Sequence, residues 1–359
     1  MPRKVFLLID SLASGGAQRQ MVSLAKFLNT DDNIQAKLFT YHDIPFYKSE
    51  LDKLNIENEV LANANSPLKR LFAISQAIVT YNPDCIISYL DIPNICICLL
   101  KMFGKINCPI IVSERNATQK MTIVEKIKFF LMRYSDYIVP NSFTQGTFIR
   151  ETFPRLADKV NVITNYIDTD AFSPKENQAN NVVEVISVGR IVPQKNVKLA
   201  LQAIKCVKEK FPDVHFSWYG FGASDYLQEC MDMVLELGLE GYFDFYPPER
   251  NIVSKYRESD VFFLPSLYEG FPNVLCEAMA CGLPIVSSDV CDNTYICKDG
   301  VNAFMFDPHS ISGMVNALAK IFEVGKETRR QMGWESRAIA LDKFSSSRFR
   351  DEYLSLINQ

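Results

Sequence analysis

The chain lacks any uninterrupted apolar run of about 18 residues, the least that a membrane-crossing helix needs. The apolar stretch near its start, Val5-Phe6-Leu7-Leu8-Ile9, stops at Asp10 without a small-residue cleavage pattern. It therefore reads as a first buried strand rather than a signal peptide. Histidine is scarce, with three in 359 residues, and there is no Ser-His-Asp arrangement and no P-loop. Triad hydrolysis and P-loop phosphoryl transfer thus have no support. An excess of basic residues is missing too. The formal net charge is -4, so no global positive field invites nucleic acid. The ten cysteines are scattered, none forms a C-x-x-C pair, and several lie inside apolar runs. They read as small buried hydrophobes in a reducing cytoplasm, not as disulfides or zinc ligands. No His, Cys and carboxylate cluster offers a metal site.

At 359 residues the chain is long for one core, and two domains are expected. Composition is that of an ordinary globular protein, 48% apolar and 22% charged. In the first half, strand Val5–Ile9 runs into the glycine turn Ser14-Gly15-Gly16-Ala17. Ala17, Met21, Leu24, Ala25 and Leu28 then repeat at helical spacing. Strand, glycine turn, helix is how a doubly wound α/β domain opens. Further strands are expected at Cys85–Tyr89, Ile110–Ser113 and Tyr137–Asn141. They are apolar without alternation, which suits a sheet covered on both faces. The polar stretch Ser173 to Asn181 reads as a linker. A second α/β unit follows, with strands at Val182–Val188, Val214–Tyr219, Val261–Leu264 and Pro284–Ser288. Its first helix carries Val197, Ala200, Leu201 and Ile204.

Chemistry concentrates near the C-terminal end, where two glutamates bracket Glu269-Gly270-Phe271-Pro272-Asn273-Val274-Leu275-Cys276-Glu277-Ala278-Met279-Ala280-Cys281-Gly282-Leu283-Pro284. Phe271-Pro272-Asn273 reads as a helix start, with proline in the first turn and asparagine as cap. Cys281-Gly282 then Pro284 reads as its end. Glu269 then sits in the loop entering the helix and Glu277 near its first turn. A helix N-terminus attracts phosphate, and two carboxylates accept hydrogen bonds from sugar hydroxyls. The combination suits a sugar joined to a phosphate. The string resembles the E-x7-E signature of retaining family 4 glycosyltransferases, which use the two-Rossmann (GT-B) fold, and the likeness runs over nearly the whole chain.

Four further elements carry the resemblance. Gly189-Arg190-Ile191-Val192-Pro193-Gln194-Lys195-Asn196 follows the first strand of the second unit. Two cations at a strand's C-terminal end lie where α/β ligands bind, Arg190 as a fork and Lys195 as a point charge. The string is similar to the family's G-R-x4-K element, whose cations hold the donor pyrophosphate. Gly15 and Gly16 resemble the family's N-terminal G-G-A-x-R loop. Tyr219-Gly220-Phe221-Gly222 looks like its G-x-G turn near the nucleotide, and Pro248 lies in the loop that meets the base. Ser113-Glu114-Arg115-Asn116 marks a departure. Many members place a histidine near this point, and His42, His215 and His309 do not fit the slot. A subset of bacterial members resembles this chain here. Arg115 is a candidate for an acceptor phosphate and Glu114 for the sugar or for orienting Arg115; a structural salt bridge stands beside either role. Asp168-Thr169-Asp170 spells D-x-D, a metal motif elsewhere, but reads here as a hinge turn.

The resemblance implies an α/β protein of two Rossmann-like domains facing a cleft. The expected division is an acceptor domain over 1–170, a linker over 171–181, a nucleotide-sugar domain over 182–345, and a last helix over 346–359 that packs back on the first domain. It further implies a retaining, metal-independent hexosyltransferase of the bacterial polysaccharide and cell-surface glycan type. The donor is a nucleoside diphosphate sugar used as co-substrate without a cofactor, and the acceptor is a glycan or lipid-linked glycan. Glu269, Arg190 and Lys195 would act at the reacting centre. Gly189, Phe271, Asn273, Val274 and Glu277 would join them around the donor, with Glu277 on the ribose. A sugar-nucleotide epimerase or phosphorylase on the same fold is the enzymatic rival. A sugar-binding protein without catalysis is the rival of another class, which Arg190 and Lys195 argue against. Finally, Ile123 to Arg133 reads as an amphipathic helix with Phe129 off its apolar face. Lys126, Lys128 and Arg133, together with Lys69 and Arg70, could touch an anionic bilayer at the inner membrane face. A core-packed helix with solvated lysines is the alternative.

Overall fold

The structure is a computed structural model, described for residues 1–118, 120–174 and 182–359. The chain divides into two compact units, Met1–Tyr166 with Ser346–Gln359, and Ile167–Ser345. Of the expected linker over 171–181, residues 175–181 lie outside the described residues.

The first unit holds β1 (Arg3–Leu8), β2 (Ile34–Thr40), β3 (Asn58–Val60), β4 (Cys85–Tyr89), β5 (Ile110–Glu114) and β6 (Tyr137–Pro140). They form one sheet in the order β3-β2-β1-β4-β5-β6, and every pairing is parallel. The register sets Val5 beside Cys85 and Val112 beside Ile138. Val5, Phe6, Leu7 and Leu8 are wholly buried, because helices cover both faces of a parallel sheet. One covering helix, Gly16–Leu28, turns Met21, Leu24, Ala25 and Leu28 inward. The last helix of the chain, Ser346–Ile357, also belongs to this unit. It adds Phe349, Tyr353, Leu356 and Ile357 to the core formed by β1 and the Gly16–Leu28 helix.

The second unit repeats the plan with β7 (Val183–Val188), β8 (Val214–Tyr219), β9 (Phe243–Tyr246), β10 (Val261–Leu264), β11 (Ile285–Ser288) and β12 (Ala303–Phe306). Their order is β12-β11-β10-β7-β8-β9, again parallel throughout. Counted from its own first strand, each sheet runs 3-2-1-4-5-6, the Rossmann order. The winding reverses between β1 and β4 in one unit and between β7 and β10 in the other. At such a reversal the loops part, and ligands bind beyond the strands' C-terminal ends.

None of the ten cysteines forms a disulfide, and most are buried. Burial pushes the thiols of Cys85, Cys98, Cys281 and Cys297 up to about 12. They are packing residues, poor in thiolate. Among the described residues no helix is long and apolar enough to cross a membrane.

Candidate active site

β7 ends at Val188, and Gly189 follows with φ +150°, a conformation side chains disfavour. A Cβ on Gly220 would lie 1.9 Å from the Gly189 carbonyl oxygen. The Trp218 Nε1–H donates to that same oxygen at 3.0 Å. Glycine at both places therefore lets the ends of β7 and β8 close up. The chain then makes a short 3-10 turn, Pro193–Lys195, and enters the helix Val197–Lys208. This brings Lys195 back over the end of its own strand, 3.1 Å from where a Gly189 Cβ would be.

The loop after β10 supplies the partner. Lys195 Nζ lies 2.5 Å from Glu269 Oε1, and both side chains are about nine-tenths buried. Two hydrogen bonds tie that loop to the 3-10 turn: the Leu267 N–H donates to the Gln194 carbonyl at 2.9 Å, and Gln194 Nε2 donates to the Tyr268 carbonyl at 2.8 Å. The cation and the carboxylate thus meet across the reversal of the second sheet, although 74 residues separate them. Arg190 lies beside them in sequence but is exposed, with no ion-pair or hydrogen-bond partner among the described residues. It remains available to an anion.

The helix after Glu269 is Asn273–Ala280. Pro272 takes the cap position and no side chain caps the helix, so Asn273 is its first residue, not its cap. Glu277 is the fifth residue and therefore in the second turn, not the first. It is buried, with Tyr256 Oη 3.5 Å from its Oε2. At the helix start the Asn273 N–H donates to the Phe271 carbonyl at 3.0 Å and the Leu275 N–H to the Pro272 carbonyl at 3.1 Å. Phe271 is buried against Phe344, which anchors the loop. Asn273 and Val274 are half-buried at the helix start. Gly222 packs against Ile191, whose N–H donates to the Phe221 carbonyl at 2.9 Å. Pro248 is exposed in the loop after β9, with no bond to the Lys195–Glu269 pair.

In the first unit, Gly15 and Gly16 open the Gly16–Leu28 helix as expected from the turn, next to Asp10, which accepts from Gln18 Nε2 at 3.0 Å. Glu114 and Arg115, however, are already engaged. Glu114 Oε2 lies 2.7 Å from Lys128 Nζ, and that ammonium also meets Asp91 at 3.1 Å and Glu125 at 2.8 Å. Burial pushes the Glu114 carboxyl up to about 7 against the pull of Lys128. Arg115 donates to Asn165 Oδ1 at 2.8 Å and to Tyr353 Oη at 3.0 Å, with its guanidinium 3.7 Å from the Tyr89 ring centre.

Two expectations for the bilayer patch change. Lys128 is not a surface cation, because three carboxylates hold it inside. Phe129 faces the core, stacked on Phe153, and the solvent face of the helix Ile123–Leu131 is itself apolar: Ile123, Val124, Ile127 and Phe130 are exposed. Glu114 at the end of an otherwise apolar strand was the signal that a buried cation was needed nearby. Asp168 accepts the Ala171 N–H at 3.0 Å, closing a turn. No group of three or more His, Cys, Asp or Glu among the described residues could hold a metal.

Residues 168–338, most of the second unit, match the family model "Glycosyl transferases group 1". An α-1,4-N-acetyl-D-galactosaminyltransferase of Campylobacter jejuni, named for its undecaprenol-diphosphate-linked GalNAc substrate, is 26% identical over 99% of this chain and 98% of its own. Among solved structures, a glycosyltransferase from Rickettsia africae superposes with a TM-score of 0.87 at 16% identity, covering 99% of this chain and 98% of the other. Anabaena HepE in complex with UDP and glucose gives 0.83 at 19% identity, covering 99% of both chains. Each parallel sheet is thus a Rossmann-like domain, and the fold matches that of GT-B glycosyltransferase structures. Over residues 168–338 the chain thus resembles the group 1 glycosyl transferases, and its full-length relative is named as a glycosyltransferase.

Proposed function

We propose that the chain is a retaining, metal-independent transferase that moves a hexose-type sugar from a nucleoside diphosphate sugar to a glycan or lipid-linked acceptor. The observation that carries this is the buried Lys195–Glu269 pair at the reversal of the second sheet, with Arg190, which has no partner among the described residues, on the same loop after β7. Arg190 and Lys195 would hold the diphosphate, Glu277 the ribose and Glu269 the sugar. The acceptor hydroxyl would attack the anomeric carbon on the face from which the diphosphate leaves. As the bond to the β-phosphate oxygen breaks, the hydroxyl proton passes to that departing oxygen. Negative charge grows there, and Lys195, held in place by Glu269, together with exposed Arg190 stabilises it, which is commonly the main catalytic term. No step in this scheme needs a metal or a cofactor.

The complex of Anabaena HepE with UDP and glucose supports a uridine diphosphate sugar as donor. The lipid-linked substrate named for the Campylobacter relative supports a similar acceptor, taken from the cytoplasmic face of a membrane. Lys69, Arg70, Lys126 and Arg133 would then draw the first unit to an anionic bilayer, and Ile123, Ile127 and Phe130 would dip into it. Incubating the chain with UDP-sugars and an undecaprenyl-diphosphate-linked glycan, with and without EDTA, tests the reading. An α-linked product formed equally in both is expected from an α-linked donor. A β-linked product would remove retention, and activity lost to EDTA and restored by magnesium or manganese would remove metal independence. Conversion of the donor to a second nucleotide sugar without acceptor would favour the epimerase.

A further inference from the structure

A cavity of about 510 Å3 opens on the second unit far from the Lys195–Glu269 pair. Its floor is the start of two strands: Asp260 directly precedes β10, and Pro284 directly precedes β11. Lys195 and Glu269 follow strand ends, so the cavity lies at the opposite edge of the same parallel sheet. One wall is the helix Gly325–Phe344, which turns Lys326, Arg330 and Trp334 inward at intervals of four residues. The other is the end of the Asn273–Ala280 helix, Cys281 to Pro284.

The charge of this cavity opposes that of the chain. Arg257, Lys326, Arg329 and Arg330 line it against one carboxylate, Asp260, in a protein whose net charge is -4. Two of these cations are spent on structure. Arg257 donates to the Ser173 and Ala171 carbonyls, and Arg329 to the Ile321 and Phe322 carbonyls. The Asp260 carboxylate accepts the Glu184 N–H at 3.0 Å. Lys326 and Arg330 have no partner among the described residues. Beside them Trp334 keeps 52% of its surface exposed, an unusual position for an indole unless something covers it. Two free cations next to a free aromatic face match a ligand that joins a phosphate to a ring.

We propose that this cavity is a second binding site, separate from the donor site, for a small phosphorylated ligand whose ring lies on Trp334 and whose phosphate meets Lys326 and Arg330. Both a nucleotide and a sugar phosphate carry that chemistry. The site also spans a tight seam. A Cβ on Gly333 would come 2.1 Å from the Gly282 carbonyl oxygen, so the helix that grips the ligand is packed directly on the end of the helix that carries Glu277. A bound ligand would therefore brace the element that leads back to the donor site.

The chain has two tryptophans, and Trp218 is buried, so a ligand in the cavity would quench the Trp334 share of the fluorescence. The intact chain is titrated with adenosine monophosphate, glucose 6-phosphate and inorganic phosphate, followed by fluorescence and calorimetry. Saturable quenching by one of the two ring-bearing ligands is expected, and the arm that responds identifies the source. In K326E/R330E that binding should weaken by about tenfold or more, the loss of a charge-assisted contact. Both side chains are exposed, and K326Q/R330Q provides a milder pair should the charge reversal disturb folding. Wild-type affinity in both double variants, or inorganic phosphate binding as tightly as the ring-bearing ligands, would overturn the proposal.

Discussion

The two units share one topology and use it in opposite ways. Beyond β5, the first unit gathers Glu114, Asp91 and Glu125 around Lys128, and pins Arg115 between Asn165, Tyr353 and Tyr89. Beyond β7, the second unit buries the Lys195–Glu269 ion pair, leaves Arg190 without a partner among the described residues and has glycine at 189 and 220. Sheet order alone therefore does not locate chemistry. What separates the two edges is whether their charges are already spent.

The largest expected effect tests the structural side. Lys128→Ala strands Glu114 in the interior, and losing one partner of a buried pair costs about 3–5 kcal/mol. Protonation of Glu114, already pushed up to about 7, should keep the loss near the low end of that range. Denaturant melts measure it, and an unchanged midpoint would mean that the cluster contributes nothing. Lys195→Ala and Arg190→Ala probe the other side. Each should lower kcat/KM by about 2–4 kcal/mol of transition-state stabilisation, with a smaller effect on melting for exposed Arg190. Wild-type kcat/KM in both variants would take these cations out of the site.

A third contrast lies in pH. His215 sits between Glu184 and Asp244, 2.9 Å from each, and its hydrogen bonds to them raise its pKa from 6.5 to about 9. Its folded value lies above the unfolded one, so the stability it adds is complete below about pH 6.5 and is lost as pH rises through 9. Melting of the wild type should fall across that window, and H215Q should flatten the fall. Equal slopes in the two proteins would refute the assignment. The smallest effect concerns the bilayer. Lys126 and Lys69 should each contribute about 1 kcal/mol of attraction to anionic vesicles, fading with salt. Vesicle flotation of I127E and of K126E separates apolar from electrostatic docking, and no flotation on anionic lipid at low salt would end the idea.

Eight strands were legible in the sequence, among them the continuously apolar β4 and β10, whereas β2, β3, β9 and β12 were missed. β2 mixes polar and apolar residues, Ile34-Gln35-Ala36-Lys37-Leu38, and β3 has three residues. Such segments become strands because a central strand offers them a ladder, and that offer is tertiary. The glutamates and cations of the second unit were legible as motifs. Their pairing was not, since Lys195 and Glu269 meet only through the winding of the sheet. Lys128 misled for a related reason. A lysine on an amphipathic helix reads as solvated, and only its carboxylate partners on other elements pull it inside.

The last helix, Ser346–Ile357, completes a core that the first residues begin. On the ribosome, the first unit is therefore synthesised early and finished last. At about 5–20 residues per second, the intervening segment Ile167–Ser345 delays the arrival of Phe349 and Tyr353 by about 10–40 s. Through that interval Tyr89 and Arg115 wait for the hydroxyl of Tyr353, and the second unit, contiguous in sequence, has every residue it needs to fold first. The division of the chain thus predicts that the second unit folds before the first, the reverse of the usual N-to-C order.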